Sequence, residues 1–392
     1  MALGNFTSWF DQPLSSQYYN EDHESWRYAL RQFIDREVAP FVDEWEEAGT
    51  FPRELYKKAA DVGLSKLGYP EEYGGVDKPD LFFDIVTSLE LARVGGGGVH
   101  PSLNSHSIGL PPIVALGSET MKARIVPEVV NGEKISALAI TEPSGGSDVA
   151  NLKTTARRDG DHYVVNGSKT FITSGIRADY YTVAVRTGGE GMSGISLLLV
   201  EKGMPGFTQT LLDKMGWWSS DTATLYFDNC RVPVENLVGP ENKGFAGIMR
   251  NFNAERLNIA AMANGLAMVC MDEAVSWARE RMTFGHRLME HQVIRHKIAE
   301  MAKRILATQA LLEKVTWQMQ QGEVPVAELS LLKVQSTETM EYCAREAVQI
   351  FGGMGFMRGN KVERIYREVR VYAIGGGSEE IMRDLAARQL AL

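Results

Sequence analysis

The middle of the chain and its two flanks cannot share one architecture. From Ile135 to about Val238 the residues favour strands, in the runs ISALAIT, HYVVNG, SKTFIT, YYTVAV, ISLLLVE and TATLYF. Asp159-Gly160 and Asn166-Gly167 stand between such runs and read as hairpin turns, because Asn and Gly reach the positive φ that tight hairpins need. Roughly a hundred residues of short antiparallel strands make a compact barrel or sandwich.

The flanks carry a helical period instead. ESWRYALRQFIDREVAPFVDEWEEAG sets Trp26, Leu30, Phe33, Ile34, Val38 and Phe41 near one face, with a kink predicted at Pro40. RELYKKAADVG stops at Gly63, LFFDIVTSLELARVGGGG closes on its glycine run, and SETMKARIVPEVVNGEK completes the helical region. Beyond Lys243 three long segments hold the helical period, each ending at glycine, and long helices with short connections pack as an antiparallel bundle. The expected fold class is therefore α+β. It comprises an N-terminal α-helical domain (1–136), a central antiparallel β-barrel domain (137–237) and a C-terminal four-helix-bundle-like domain (238–392).

Composition removes several function classes. A net charge of −9 argues against nucleic acid as the main partner, although local arginines and helix N-termini can still hold an anion. Cys230, Cys270 and Cys343 form no CxxC pair and read as buried thiols of a reducing compartment. His291 and His296 are five apart and share no helix face, so no metal site is expected. MALGNFTSWFDQ lacks the basic and apolar regions of a signal peptide, and no run reaches the ~18 apolar residues of a membrane span. The expectation is a soluble, cytoplasmic protein.

Four stretches hold residues able to do chemistry. ITEPSGGSD, 140–148, follows a predicted strand, and its N–H groups and hydroxyls can receive carbonyl or phosphate oxygens; a plain turn explains the same composition. In ARERMTFGHRLMEHQVI, Arg281 and Phe284 precede Gly285 at a helix end. They can hold a phosphate and pack on a ring, or serve the helix C-terminus and a core. In NFNAERLNIAAM, Glu255 has Ile248, Phe252, Ile259 and Met262 at i−7, i−3, i+4 and i+7. A carboxylate on such an apolar face loses hydration and becomes a stronger base, while a buried Glu paired with an arginine is the structural alternative. IGGGSEEIM, 374–382, offers Ser378 as an N-cap with Glu379 and Glu380 behind it, either a capped last helix or a carboxylate that acts.

Six motifs, in order, resemble those of the acyl-CoA dehydrogenases: YPEEYGG (69–75), LAITEPSGGSD (138–148), VNGSKTFIT (165–173), ERMTFGHRLMEHQ (280–292), QIFGGMGF (349–356) and IGGGSEEI (374–381). The resemblance spans nearly the whole chain. It implies a flavoprotein, usually a homotetramer, with FAD held noncovalently between the β domain and the C-terminal bundle. Such enzymes desaturate the α,β bond of an acyl-CoA and pass electrons to an electron-transferring flavoprotein.

Carried over by position, Leu138, Ile140, Thr141, Gly146 and Ser147 would line the flavin, with Phe171 and Thr173 on its other side. Arg281, Thr283, Phe284, Gln292, Gln349, Gly352 and Gly353 would meet the FAD of a neighbouring subunit, and Ser378 and Glu380 would also touch the cofactor. Ser147, Asn253, Arg256, Gly376 and Gly377 match positions around the acyl-CoA.

Many members carry their catalytic glutamate where this chain has Gly376. Isovaleryl-CoA and long-chain acyl-CoA dehydrogenases are similar to this sequence in having glycine there, and they place the base before the arginine of an ERL, here Glu255. The resemblance also implies that the thioester carbonyl meets the backbone N–H at Gly376 and a ribityl hydroxyl of FAD. Gly375 and Gly376 leave room near the reacting carbons, so branched or longer acyl chains are expected. Phe171 replaces the tryptophan of many members, and PSGG differs from their commoner PGAG. A flavin oxidase or monooxygenase, and a non-catalytic assembly protein, are the alternatives on the same architecture.

Overall fold

The computed structural model describes residues 6–14 and 16–392. They form two compact units that interleave along the chain. One contains the residues up to Asp43, Pro79–Gly97 and Arg256–Leu392, and the other contains Glu44–Lys78 and Gly98–Glu255.

The first unit is helical. Its N-terminal helix α1 (Glu21–Glu37) starts on a reciprocal cap: the Asn20 side chain accepts from the His23 N–H at 3.2 Å, and His23 Nδ1 accepts from the Asn20 N–H at 3.1 Å. Leu30, Phe33, Ile34 and Val38 are buried as the period predicts, whereas Phe41 is exposed. Pro40 breaks the helix rather than kinking it. A 3₁₀ turn, Ala39–Phe41, separates α1 from α2 (Val42–Ala48), because proline lacks the N–H that a continuing helix would use. Helix α3 (Glu54–Asp61), in the second unit, ends before Gly63, which sits at φ 96°.

Helix α4 (Phe82–Ala92) ends before the glycine run, as expected; Gly95, Gly96 and Gly97 all have positive φ. In the second unit, α5 (Val99–Leu103), α6 (His106–Gly109), α7 (Pro111–Leu116) and α8 (Glu119–Val130) follow, and α8 is capped by Ser118. The long C-terminal helices are α9 (Gly244–Glu280), α10 (Gln292–Gln320), α11 (Val326–Phe351), α12 (Lys361–Ile374) and α13 (Glu379–Gln389). Within the first unit Phe82 and Ile85 pack with Leu257, Ala260, Leu312, Val315, Leu329 and Leu332. Gly265 lets α9 approach α4 closely: a Cβ there would lie 2.6 Å from that of Ala92. By length and composition α9 could also cross a membrane, contrary to the sequence expectation, but 78% of its apolar window is buried inside the protein, as in a bundle's core helix.

The second unit is built on one sheet, with strands β1 (Ser136–Ala139), β2 (Thr155–Asp159), β3 (His162–Thr173), β4 (Tyr180–Arg186), β5 (Ile195–Glu201), β6 (Phe207–Leu211), β7 (Thr222–Pro233) and β8 (Leu237–Val238). Their order is β6-β7-β3-β2-β4-β5-β8, with β1 joined to β4. The ladders are antiparallel except two: β1 lies parallel to β4, and Thr155 pairs parallel with Arg186. Asp159 pairs with His162, so the hairpin turns on Gly160-Asp161, one residue beyond the Asp159-Gly160 pair predicted from the sequence. Asn166-Gly167 is not a turn. It lies inside β3 at a bulge against β7, where Gly167 (φ 140°) admits Thr154; a Cβ would stand 2.7 Å from the Thr154 Cα. Side chains of β5 and α8, among them Leu197, Leu199, Ile125 and Val129, fill the core beside the sheet.

Candidate active site

In the sheet unit the chain leaves β1 through buried Ile140 and half-buried Thr141, then exposes Pro143 through Asp148. The loop is tethered at its base. Glu142, almost wholly buried, accepts the N–H groups of Lys153 at 2.5 Å and Thr154 at 2.8 Å, so its carboxylate closes both ends. Lys169 on β3, without solvent exposure, donates to Glu142 Oε1 at 2.8 Å and to the Ile140 carbonyl at 3.0 Å. Burial pushes the Glu142 carboxyl up, but the Lys169 charge and the hydrogen bonds outweigh it and hold it below its ordinary value. Burial lowers the Lys169 ammonium to about 8, with Glu142 opposing. The Thr170 N–H donates to the Thr141 carbonyl at 2.8 Å, which joins loop and strand directly.

One residue further along, the ladder between β3 and β7 slips between Lys169 and Ile172. The slip puts Phe171 at φ 60° and turns its ring out of the sheet, 69% exposed. Leu138 and Thr173 are half-buried, and Gly146 and Ser147 are exposed. The sheet unit thus gathers Ile140, Thr141 and Phe171 around one backbone junction.

On α9, Glu255 is half-buried, as are Asn253, Phe252 and Ile259, while Ile248 and Met262 are buried. The apolar face predicted around Glu255 is present at both of its ends. Arg256, the next residue, is buried in the helical unit, and its Nε donates to the Gly376 carbonyl at 3.1 Å. Lys333 on α11 holds the same turn, donating to the carbonyls of Ala373 at 3.0 Å and Gly377 at 2.8 Å. All three bonds are accepted by carbonyls, and none uses the Gly376 N–H. Gly376 and Gly377 sit at φ 68° and 109°, where side chains are strained.

The two later carboxylates have other work. Glu379 accepts from Thr337 Oγ1 at 2.7 Å. Glu380 is exposed, and its own backbone N–H, then the Ser378 hydroxyl, hold it below its ordinary value, which makes it a weak base. Ser378 caps α13 as predicted, accepting from the Ile381 N–H at 3.4 Å.

Between α9 and α10 a small hairpin, β9 (Met282–Thr283) and β10 (His286–Arg287), turns on Phe284-Gly285 at φ 51° and 80°. Phe284 is 95% exposed at its tip, so it is in no core of this unit. Thr283 Oγ1 meets His291 Nε2 at 3.0 Å; Arg281 and Gln292 are exposed at the two helix ends. Gln349, in the last turn of α11, is exposed together with Gly352 and Gly353.

Each unit by itself exposes an aromatic ring and an open glycine of the kind a ligand can lie against. Phe171 and Phe284 are aromatic rings held outside the core by left-handed backbone, a costly conformation for a bulky residue. Gly145 and Gly353 have ordinary φ, and a Cβ at either would meet nothing within 4 Å. The chain's own packing does not require glycine there, whereas a ligand lying against the backbone would.

Comparison with known proteins decides the family. The acyl-CoA dehydrogenase N-terminal, middle and C-terminal domain models match residues 20–133, 137–230 and 242–391. The chain belongs to the acyl-CoA dehydrogenases. It is 36% identical to the mitochondrial long-chain specific acyl-CoA dehydrogenase of Rattus norvegicus, over 95% of this chain and 87% of that one. A crystal structure of a putative acyl-CoA dehydrogenase from Mycobacterium smegmatis is 47% identical with a TM-score of 0.93, covering 96% of this chain and 99% of that one. A glutaryl-CoA dehydrogenase from Mycobacterium smegmatis, in complex with FADH2, has a TM-score of 0.89 at 26% identity, over 95% of each chain. FAD is the cofactor of this oxidoreductase family.

Sequence reading missed Lys169 and Glu142 as a pair, and Lys333. A signal for the first existed: Tyr163, Val165 and Lys169 fall on the inward positions of β3, and an inward lysine demands a carboxylate.

Proposed function

We propose that this acyl-CoA dehydrogenase removes two hydrogens from the α,β bond of an acyl-CoA thioester to give the trans-2-enoyl-CoA, with Glu255 as the base for the α-proton. The observation that carries this is on α9: Glu255, flanked along its face by buried Ile248 and Met262, directly precedes the arginine that grips the Gly376 carbonyl. Glu380 is a weakened base and Glu379 is engaged by Thr337, which supports leaving the role to Glu255.

A thioester α-proton is too weak an acid for a carboxylate in water, so the developing charge on the carbonyl oxygen must be met by fixed donors. The Gly376 N–H suits that task, because Arg256 and Lys333 fix the turn by its carbonyls; one such donor is worth about 3 kcal/mol. The α C–H electron pair becomes the new C=C bond as the proton passes to a Glu255 carboxylate oxygen. Bound FAD supplies the acceptor for the β-hydrogen, which leaves as hydride. Ile140, Thr141, Ser147, Phe171 and Thr173 would hold the ring system, and Arg281 would reach the FAD of a neighbouring copy.

Glycine at 375 and 376 supports branched or longer acyl groups, and the exposed Phe284 and Phe356 support a homotetramer in which the hairpin reaches a neighbour's cofactor. An electron-transferring flavoprotein is the proposed acceptor. The test is anaerobic bleaching of the flavin absorbance by straight, isovaleryl and longer methyl-branched acyl-CoAs. Fast bleaching by a branched or long thioester is expected. Equal rates confined to short straight chains would reject the substrate class, and no bleaching together with rapid oxidation of the reduced enzyme by oxygen would favour an oxidase.

A further inference from the structure

We infer that the buried Lys169–Glu142 pair is a positioning device for the flavin site, through which cofactor affinity, and not only folding, is maintained. The inference rests on the reading that the 138–147 segment and Phe171 hold FAD. Neither charged group faces solvent, and neither is placed to touch substrate. What they touch is the backbone of the loop. Lys169 Nζ spans Glu142 and the carbonyl of Ile140, one residue before Thr141. Glu142 in turn receives Lys153 and Thr154, so one carboxylate fixes the loop's entry to its exit.

The same strand then makes the bulge that expels Phe171. Thr170 is the shared point: its N–H binds the Thr141 carbonyl, and its hydroxyl meets that of Thr224 on β7 at 3.0 Å. Removing the ammonium while the carboxylate stays leaves a buried charge without its partner, so the carboxylate takes up a proton or pulls away toward water. Either change loosens its grip on the Lys153 and Thr154 N–H groups and lets Ile140 and Thr141 shift relative to Phe171.

Such a device predicts a specific pattern. Lys169→Met should weaken FAD binding at least tenfold. Lys169→Met combined with Glu142→Gln, which removes the stranded charge and keeps an acceptor for the loop N–H groups, should recover most of that loss. The experiment strips FAD from the purified full-length protein and its variants, then titrates FAD back and reads its fluorescence and visible spectrum. Circular dichroism and thermal melting of each apoprotein run alongside. Folded Lys169→Met that binds FAD as wild type does would overturn the inference. So would equal losses in the single and double variants. If Lys169→Met does not fold, Glu142→Gln alone is read by the same affinity criterion, and failure of every variant to fold would assign the pair to folding and overturn it as well. Wild-type apoprotein that takes up no FAD would instead overturn the cofactor site on which the inference stands.

Discussion

Arg256 Nε donates to the Gly376 carbonyl at 3.1 Å, joining α9 to the turn before α13 across 120 residues of sequence. The bond fixes a peptide next to the N–H proposed to receive the thioester oxygen. Arg256→Gln should therefore lower kcat by about tenfold to a hundredfold, the equivalent of roughly 1.4–2.7 kcal/mol in the barrier. Stopped-flow reduction by the best thioester measures it. An unchanged kcat would mean that the turn holds its place without the arginine.

Lys333 secures the same turn from α11 by two carbonyls, with no solvent exposure of its own. Lys333→Met strands those acceptors, and a loss of about 2–3 kcal/mol in stability is expected. Urea unfolding of wild type and variant gives the figure. A loss below about 0.5 kcal/mol would show that the carbonyls find water or other donors.

Gly376 at φ 68° accommodates an alanine only with strain, at a cost of about 1 kcal/mol. The added methyl would also crowd the side of the acyl group that glycine leaves open. Gly376→Ala should slow reduction by branched thioesters more than by straight ones. A uniform slowing across the panel would remove the glycine from the account of substrate choice.

Phe284 combines φ 51° with almost complete exposure. Phe284→Gly relieves the backbone, so the apoprotein should gain up to about 1 kcal/mol, while FAD affinity falls. The opposite signs, read by thermal melting and FAD titration, separate a cofactor contact from a fold contact.

Asp272 supplies a pH dependence. Burial, opposed by hydrogen bonds from the Ser8 hydroxyl and the Trp9 N–H, raises its carboxyl from the ordinary 3.8 to about 6. The folded chain holds that proton more tightly than the unfolded chain, so this group's contribution to stability falls as pH rises between those values and is lowest above pH ~6. Partial exposure reduces the effect to about 1 kcal/mol. Asp272→Asn should be more stable than wild type by that amount near neutrality and equal to it below pH ~4, measured by urea unfolding at both.

What was legible in the sequence was local. Gly63, the glycine run after α4 and the Ser378 cap each end or start a helix by their own backbone chemistry, and all three stand as read. Asn166-Gly167 misled because a bulge and a hairpin turn use the same residues; only the partner strand β7 distinguishes them. Pro40 could kink or break a helix, and the 3₁₀ turn beyond Val38 settles it as a break. The parallel seating of β1 on β4 depends on residues some forty positions apart and has no local signature. The same holds for the site. The apolar residues flanking Glu255 were legible from the period of its own helix, whereas the bonds from Lys169 to Glu142 and from Arg256 to Gly376 link residues 27 and 120 apart.

Glu255 as the base is tested by anaerobic bleaching of the flavin by the fastest acyl-CoA in wild type and in Glu255→Gln, with FAD content and melting matched beforehand. Reduction that is rapid in wild type and at least a thousandfold slower in the variant is predicted. Reduction that survives in Glu255→Gln at a comparable rate would contradict the account and send the search for the base to Glu379 and Glu380.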